Sequence, residues 1–178
     1  MTATDPQKRL VHVYTGDGKG KTCTAMGMAA RALGRGWRVL AIQFLKPADG
    51  SGEILLLRGT ERFKAIQFGT TDFIFRDRIG PEVKRIAEEG MATAEKEVRC
   101  GEWDMVILDE ILQAVDFGLI DTDRVRRLMA EKPDSVELVL TGRNAPETLI
   151  ENADLVSEIR EIKHPHGCGI KDRKGIEF

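Results

Sequence analysis

The sequence predicts an α/β fold of three layers, with a mostly parallel central sheet of about six strands packed between helices. Three observations carry that prediction. Short apolar runs alternate with segments of helical period along the chain. Unbroken apolar stretches such as Met105-Val106-Ile107-Leu108 have the character of strands buried on both faces. The chain holds 178 residues, with no linker, repeat or low-complexity tract, so residues 1–178 are expected to form a single domain.

The expected strands are residues 10–14, 38–44, 63–68, 105–108, 136–141 and 155–162. Between the first two, Ala25, Met28, Ala29, Ala32 and Leu33 recur at helical spacing, and Gly34 and Gly36 supply a stop, which makes a βαβ unit. A long helix opens at Gly80-Pro81, because proline suits a first helical position. It carries Val83, Ile86, Ala87, Met91, Ala94 and Val98 on one face and ends near Gly101. A further helix starts at Asp121 as N-cap, with Val125, Leu128 and Met129 inward and Arg124, Arg126 and Arg127 on a solvated face. Residues 47–52 and 69–80 are expected as loops.

Composition narrows the function classes. A 42% hydrophobic and 31% charged chain is globular, not collagenous, mucin-like or broadly disordered. With 27 Lys+Arg against 29 Asp+Glu it lacks the basic excess of a protein that wraps nucleic acid, so no nucleic-acid partner is expected. Cys23, Cys100 and Cys168 are odd in number and far apart, which is no disulfide framework and fits a reducing compartment. No apolar run reaches the ~18 residues of a membrane span, and residues 1–9 are short and polar. No membrane partner and a cytoplasmic location are therefore expected.

Three of the 18 glycines, Gly16, Gly18 and Gly20, cluster where chemistry is expected. Thr15-Gly16-Asp17-Gly18-Lys19-Gly20-Lys21-Thr22 follows the first strand and runs directly into the first helix. Strand, glycine-rich turn and helix N-terminus make a phosphate loop: backbone N–H groups converge on phosphate oxygens and the helix adds partial positive charge. Lys21 would pair with phosphate oxygens and Thr22 Oγ1 would ligate Mg²⁺. The usual pattern has a glycine five residues before the glycine of Gly20-Lys21-Thr22. Here that position is Thr15, and the first glycine comes one residue later. This shortened cradle, carrying Asp17 and Lys19, is expected to hold a nucleoside triphosphate differently from an ordinary ATPase.

Asp109 and Glu110 end the strand at 105–108, at the edge where parallel sheets bind ligands. One of them would act on Mg²⁺, directly or through water, and Glu110 reads either as the activator of a water or as a metal ligand. Arg143 follows the next strand in Thr141-Gly142-Arg143-Asn144, and its planar fork suits charge on a leaving phosphate. There is no guanine-specific Asn/Thr-Lys-x-Asp element and no Ser-His-Asp or Cys-His constellation. Cys23 reads as a small core-facing residue. His164, His166 and Cys168 lack a matching partner group for a zinc site.

These pieces resemble the ATP:corrinoid adenosyltransferases of P-loop type from about Val11 to Phe178. The resemblance rests on the shortened loop, Ala29-Ala30-Arg31-Ala32, Gln43-Phe44, Leu108-Asp109-Glu110, Leu140-Thr141-Gly142-Arg143 and Ala153-Asp154-Leu155-Val156-Ser157-Glu158. Lys163-His164-Pro165, Gly169-Ile170-Lys171 and Gly175-Ile176-Glu177-Phe178 complete it. It implies a P-loop NTPase-like fold in which Co(I) of a reduced corrinoid, cob(I)alamin or a precursor, attacks the 5′ carbon of ATP and tripolyphosphate departs. A conventional ATPase or small-molecule kinase releasing ADP is the alternative.

Carried over residue by residue, the resemblance implies catalytic roles for Lys21, Glu110 and Arg143, and nucleotide binding by Gly16, Asp17, Gly18, Lys19, Gly20, Lys21, Thr22 and Arg143. Glu110 and Thr22 would be the main Mg²⁺ partners, with Asp109 supporting and Asp17 facing the ribose. Some members carry Gly-Phe-Thr-Trp in the corrinoid pocket; this chain has Gly69-Thr70-Thr71-Asp72-Phe73-Ile74-Phe75, where Phe73 and Phe75 would serve. The long N-terminal helix of some members is expected to be missing or reduced. A homodimer, a flavoprotein reductant and a partly open site completed by a second subunit or a mobile segment are further expectations.

Overall fold

The computed structural model describes residues 8–46, 51–70 and 79–176. In chain order the elements are β1 (Val11–Thr15), α1 (Lys21–Leu33), β2 (Val39–Phe44), α2 (Gly52–Leu57), β3 (Phe63–Phe68) and α3 (Pro81–Arg99). Then come β4 (Met105–Asp109), α4 (Ile111–Asp116), α5 (Thr122–Glu131), β5 (Glu137–Thr141), α6 (Glu147–Glu151) and β6 (Leu155–Glu158), followed by a 3₁₀ turn at Pro165–Cys168.

The six strands form one sheet in the order β3-β2-β4-β5-β1-β6. Every pairing is parallel. Parallel neighbours need crossovers, and the crossover helices cover both faces, which is why the inner strands are mostly apolar, with Gln43, Asp109 and Thr141 among the polar exceptions near their carboxyl ends. One face carries α1 and α2: Ala25, Met26, Ala29, Ala32 and Ile54 pack on Tyr14, Val39, Ala41, Ile107 and Val139. The other carries α3, α4 and α5, which pack on Val13, Leu40, Ile42, Phe44, Val106, Leu108, Leu138 and Leu140. Leu40, Ile42, Ile107, Leu108 and Leu138 are wholly buried, and each contributes about 1.5–3 kcal/mol of transfer free energy. This three-layer α/β arrangement is the predicted fold class.

Helix α1 can lie close to the sheet because its inner face is mostly alanine. α3 buries Val83, Ala87, Gly90, Met91, Ala94 and Val98. Gly90 lets it pass over two aromatic rings, since a Cβ there would come within 2.8 Å of Phe44 and 3.0 Å of Phe68. α5 begins as expected, with the Asp121 side chain accepting from Asp123 N.

Three expectations need correction. The last strand ends at Glu158 rather than 162, and Ile162 is 91% exposed, because β6 is an edge strand whose chain leaves the sheet to lie over the phosphate-loop turn. Helices α2 and α4 were not anticipated; at six residues each they are too short to show a helical period. Arg124 is not simply solvated: its guanidinium bonds Glu95 at 2.7 and 2.9 Å and Glu88 at 2.5 Å, tying α5 to α3. Among the described residues, no helix is long and apolar enough to cross a membrane.

Candidate active site

The turn between β1 and α1 is built by backbone conformations that side chains resist. Gly16 has φ +103° and Gly20 φ +125°. Gly16 is also pinned by a neighbour: a Cβ there would stand 2.3 Å from Ile159 O. At Gly18 a Cβ would stand 2.7 Å from Arg160 C. The chain leaving β6 thus lies against the turn. Ile159 N donates to Thr15 O at 2.8 Å, Gly18 N to Ile159 O at 2.8 Å, and Glu161 N to Asp17 Oδ1 at 3.0 Å. That last bond holds the exposed Asp17 carboxyl below its ordinary range. Lys21 opens α1 and curls back, its Nζ donating to Gly16 O and Gly18 O, both at 2.8 Å. Burial lowers its affinity for a proton, and the charge of Glu110 offsets part of that effect.

A polar cluster lies beside this turn, and strand parity explains it. Side chains of a strand alternate between faces. On β2, Val39 and Ala41 face α1, so Gln43 does too. On β4, Met105 and Ile107 face α1, so Asp109 does, and on β5 Val139 places Thr141 likewise. Register then sets them level: Gln43 pairs with Gln67 and Asp109, and Leu108 with Leu140. Gln67 Nε2 donates to Gln43 Oε1 at 2.9 Å, and Gln43 Nε2 to Asp109 Oδ2 at 2.9 Å. Thr141 Oγ1 donates to Asp109 Oδ1 at 2.7 Å. From α1, Thr22 Oγ1 donates to Asp109 Oδ1 at 2.9 Å.

Lys46, just beyond β2, completes the set. Its Nζ donates to Asp109 Oδ2 at 2.6 Å and to Thr22 Oγ1 at 2.8 Å. Asp109 is fully buried, and its two oxygens carry four hydrogen bonds, one for each lone-pair site. Burial alone would raise its carboxyl; the Lys46 charge, with bonds from Lys46, Thr141 and Gln43, outweighs that and holds it below the usual range. Glu110 follows with φ +63°, its N–H donating to Thr141 Oγ1 at 3.0 Å. Its carboxyl is raised by burial and by the Asp109 charge.

Of the expected site residues, Asp17, Gly18, Lys19, Gly20, Lys21, Thr22, Glu110 and Arg143 line one cavity of about 340 Å³ at the carboxyl edge of the sheet. Asp109 stands behind Thr22, wholly buried. Gly16 lines a second cavity of about 860 Å³ on the other side of the turn, and Asp17 reaches both. Arg143 is exposed at the rim. Cys23 is a correction: it is exposed and lines the first cavity, because the first turn of α1 projects past the sheet edge. Phe73 and Phe75 lie outside the described residues, as do the side chains of His166 and Cys168.

Comparison with known proteins decides the family. The family described as ATP:corrinoid adenosyltransferase BtuR/CobO/CobP matches residues 7–178. The chain belongs to this family. The corrinoid adenosyltransferase of a Sinorhizobium species is 40% identical over 181 residues, covering 99% of this chain and 83% of that protein. Those of Pseudomonas aeruginosa and Escherichia coli K12 are 33% and 32% identical, over 97% of this chain and 85% and 87% of theirs. Adenosylation of a corrinoid by ATP is what this family does.

Of this cluster Lys46 escapes a reading by motif, and Gln43 and Thr141 enter the sequence only within Gln43-Phe44 and Leu140-Thr141-Gly142-Arg143, with no role attached. The available signals were a polar residue inside an apolar strand, a cation two residues past its end, and a hydroxyl at the end of the strand lying between β1 and β4.

Proposed function

We propose that this chain transfers the 5′-deoxyadenosyl group of ATP to the Co(I) of a reduced corrinoid, in the making or salvage of adenosylcobalamin. The cobalt electron pair forms the bond to C5′, the C5′–O bond breaks, and tripolyphosphate leaves with that bonding pair. The observation that carries the reading is the joint presence of Lys21, Thr22, Glu110 and Arg143 around one cavity beside a helix N-terminus. A nucleophile as strong as Co(I) needs no base from the protein. The protein's task is to hold C5′ in line and to stabilise charge gathering on the triphosphate.

In this reading Lys21 leaves the loop carbonyls for the phosphates, and Lys19, with the N–H groups of Gly16, Gly18 and Gly20, completes the cradle. Gly18 N–H must exchange Ile159 O for the ligand in doing so. Asp17 turns its other oxygen to the ribose, and Arg143 meets the departing charge from the rim. Hard oxygen donors are what Mg²⁺ prefers, and the Thr22 hydroxyl with the Glu110 carboxylate supplies them. Asp109, with all four lone-pair sites engaged, acts by orienting Thr22 or through water. Mg²⁺ would supply charge neutralisation on the triphosphate. Family membership also supports a homodimer, a flavoprotein electron donor and a cytoplasmic setting.

The test is incubation with ATP, Mg²⁺ and chemically reduced cobalamin, with a precursor corrinoid in a parallel arm. A light-sensitive cobalt–carbon product together with tripolyphosphate is expected. ADP without adenosylated corrinoid would overturn the reading in favour of a conventional ATPase or kinase.

A further inference from the structure

The ammonium of Lys46 has no place in the transfer step as described, yet it makes the shortest of the four hydrogen bonds to the buried Asp109. Its second partner is the informative one. Thr22 gives its single hydroxyl proton to Asp109 Oδ1, so only lone pairs remain on that oxygen, and Lys46 Nζ sits against them at 2.8 Å. A divalent ion bound by Thr22 must use the same lone pairs. Lys46 also lines the cavity that Thr22 and Glu110 face, and its side chain is 18% exposed.

We propose that Lys46 is a tethered cation occupying the seat of the divalent ion, so that ammonium and ion compete for one place and the ion enters only together with the nucleotide. The inference rests on the reading of Thr22 and Glu110 as the metal side of the site. Charge explains the coupling. Around the cavity Lys19, Lys21, Lys46 and Arg143 are matched by Asp17, Asp109, Glu110 and Asp172, so no excess of negative charge draws a lone divalent ion into the place of the ammonium. The triphosphate supplies that excess and offers the displaced ammonium a new anionic partner.

The backbone keeps Lys46 in reach of both positions. Leu45 is buried with φ +60°, its N–H donates to Phe68 O at 2.8 Å, and Gly69 packs so closely that a Cβ there would stand 2.1 Å from Lys46 O. The main chain entering Lys46 is therefore held against the end of β3, and the flexible four-carbon stem carries the movement. Lys46 passes from Asp109 and Thr22 to the triphosphate without leaving the cavity, which makes it a positioning residue for the metal–nucleotide pair.

The experiment is an electron paramagnetic resonance titration with Mn²⁺, in the presence and absence of ATP, on the wild type and on Lys46→Met and Lys46→Arg. Lys46→Met is expected to bind Mn²⁺ without nucleotide at least tenfold more tightly than the wild type and to bind the Mn²⁺–ATP pair more weakly. Lys46→Arg, which keeps the charge, is expected to retain the weak nucleotide-free binding. A merely structural lysine predicts that both affinities fall together, and no gain for Lys46→Met overturns the proposal. If Lys46→Met unfolds because Asp109 has lost its counter-charge, Mn²⁺ alone is expected to restore its native circular dichroism, and failure to do so is equally fatal. Absence of any Mn²⁺–ATP complex with the wild type would remove the metal reading of the site itself, and this inference with it. A wild-type complex without the Lys46→Met gain removes only the role of Lys46.

Discussion

Gln43 Nε2 donates to Asp109 Oδ2 at 2.9 Å between adjacent strands, in a place without solvent. An amide in mid-sheet is there to satisfy a carboxylate. Gln43→Leu keeps the volume but removes that donor, and it also removes the acceptor that Gln43 offers to Gln67 Nε2. The expected loss is about 1–3 kcal/mol of stability. It would appear as a lower urea midpoint with an unchanged slope.

Lys21 Nζ donates to two loop carbonyls, those of Gly16 and Gly18. Lys21→Ala is expected to lower kcat by about 10²–10³-fold, the usual loss for one preorganised donor at developing charge. Single-turnover formation of adenosylated corrinoid checks it. Retention of more than a tenth of the wild-type rate would mean that the triphosphate is held elsewhere.

Two glycine substitutions should differ in sign. Gly18→Ala brings a Cβ to 2.7 Å from the Arg160 backbone, which cannot yield without moving the chain that leaves β6. A cost of about 1–3 kcal/mol and weakened ATP binding are expected. Gly27→Ala points into open space on the exposed side of α1. Its expected effect is a gain of about 0.5–1 kcal/mol from helix propensity alone. Thermal unfolding with and without ATP separates the two.

Glu137 gives the protein a dependence on acid. It pairs with His12 Nε2 and accepts from Leu10 N at 3.1 Å. Burial opposes its charge, but those bonds prevail and hold its carboxyl below the ordinary 4.5. A carboxyl that binds its proton less readily folded than unfolded contributes stability above the unfolded value, and that contribution is lost as pH falls through the folded value. Glu137→Gln should therefore flatten the fall in unfolding free energy between about pH 5 and pH 3. An unchanged slope there would show that other carboxylates set the acid limit.

The parts of this fold that follow from local pattern were legible in the sequence. Residues 63–68 form β3 to the residue, and Pro81 opens α3 as a first-position proline. The glycine-rich turn between β1 and α1 was visible because strand, glycines and helix are contiguous. The hydrogen-bonded cluster around Asp109 was not, because its other members lie 32 to 87 residues from Asp109 and meet only through register. Strands buried on both faces show no alternation of hydropathy, so the parity that aims Gln43, Asp109 and Thr141 at α1 leaves no periodic mark. Arg124 was misread for a related reason: its partners Glu88 and Glu95 are on another helix.

The position of β1 has a consequence for synthesis. β1 is made well before its partners β5 and β6, whose residues emerge more than 120 positions later. β2, β3 and β4 can pair with one another as soon as residue 109 is available. The turn at 15–20 has no scaffold until Ile159 and Arg160 arrive to cover it. Such long-range pairings bear the largest loop-closure cost and come late. A nascent chain would therefore acquire its middle strands first and complete the glycine-rich turn last, although that turn precedes all of them in the chain.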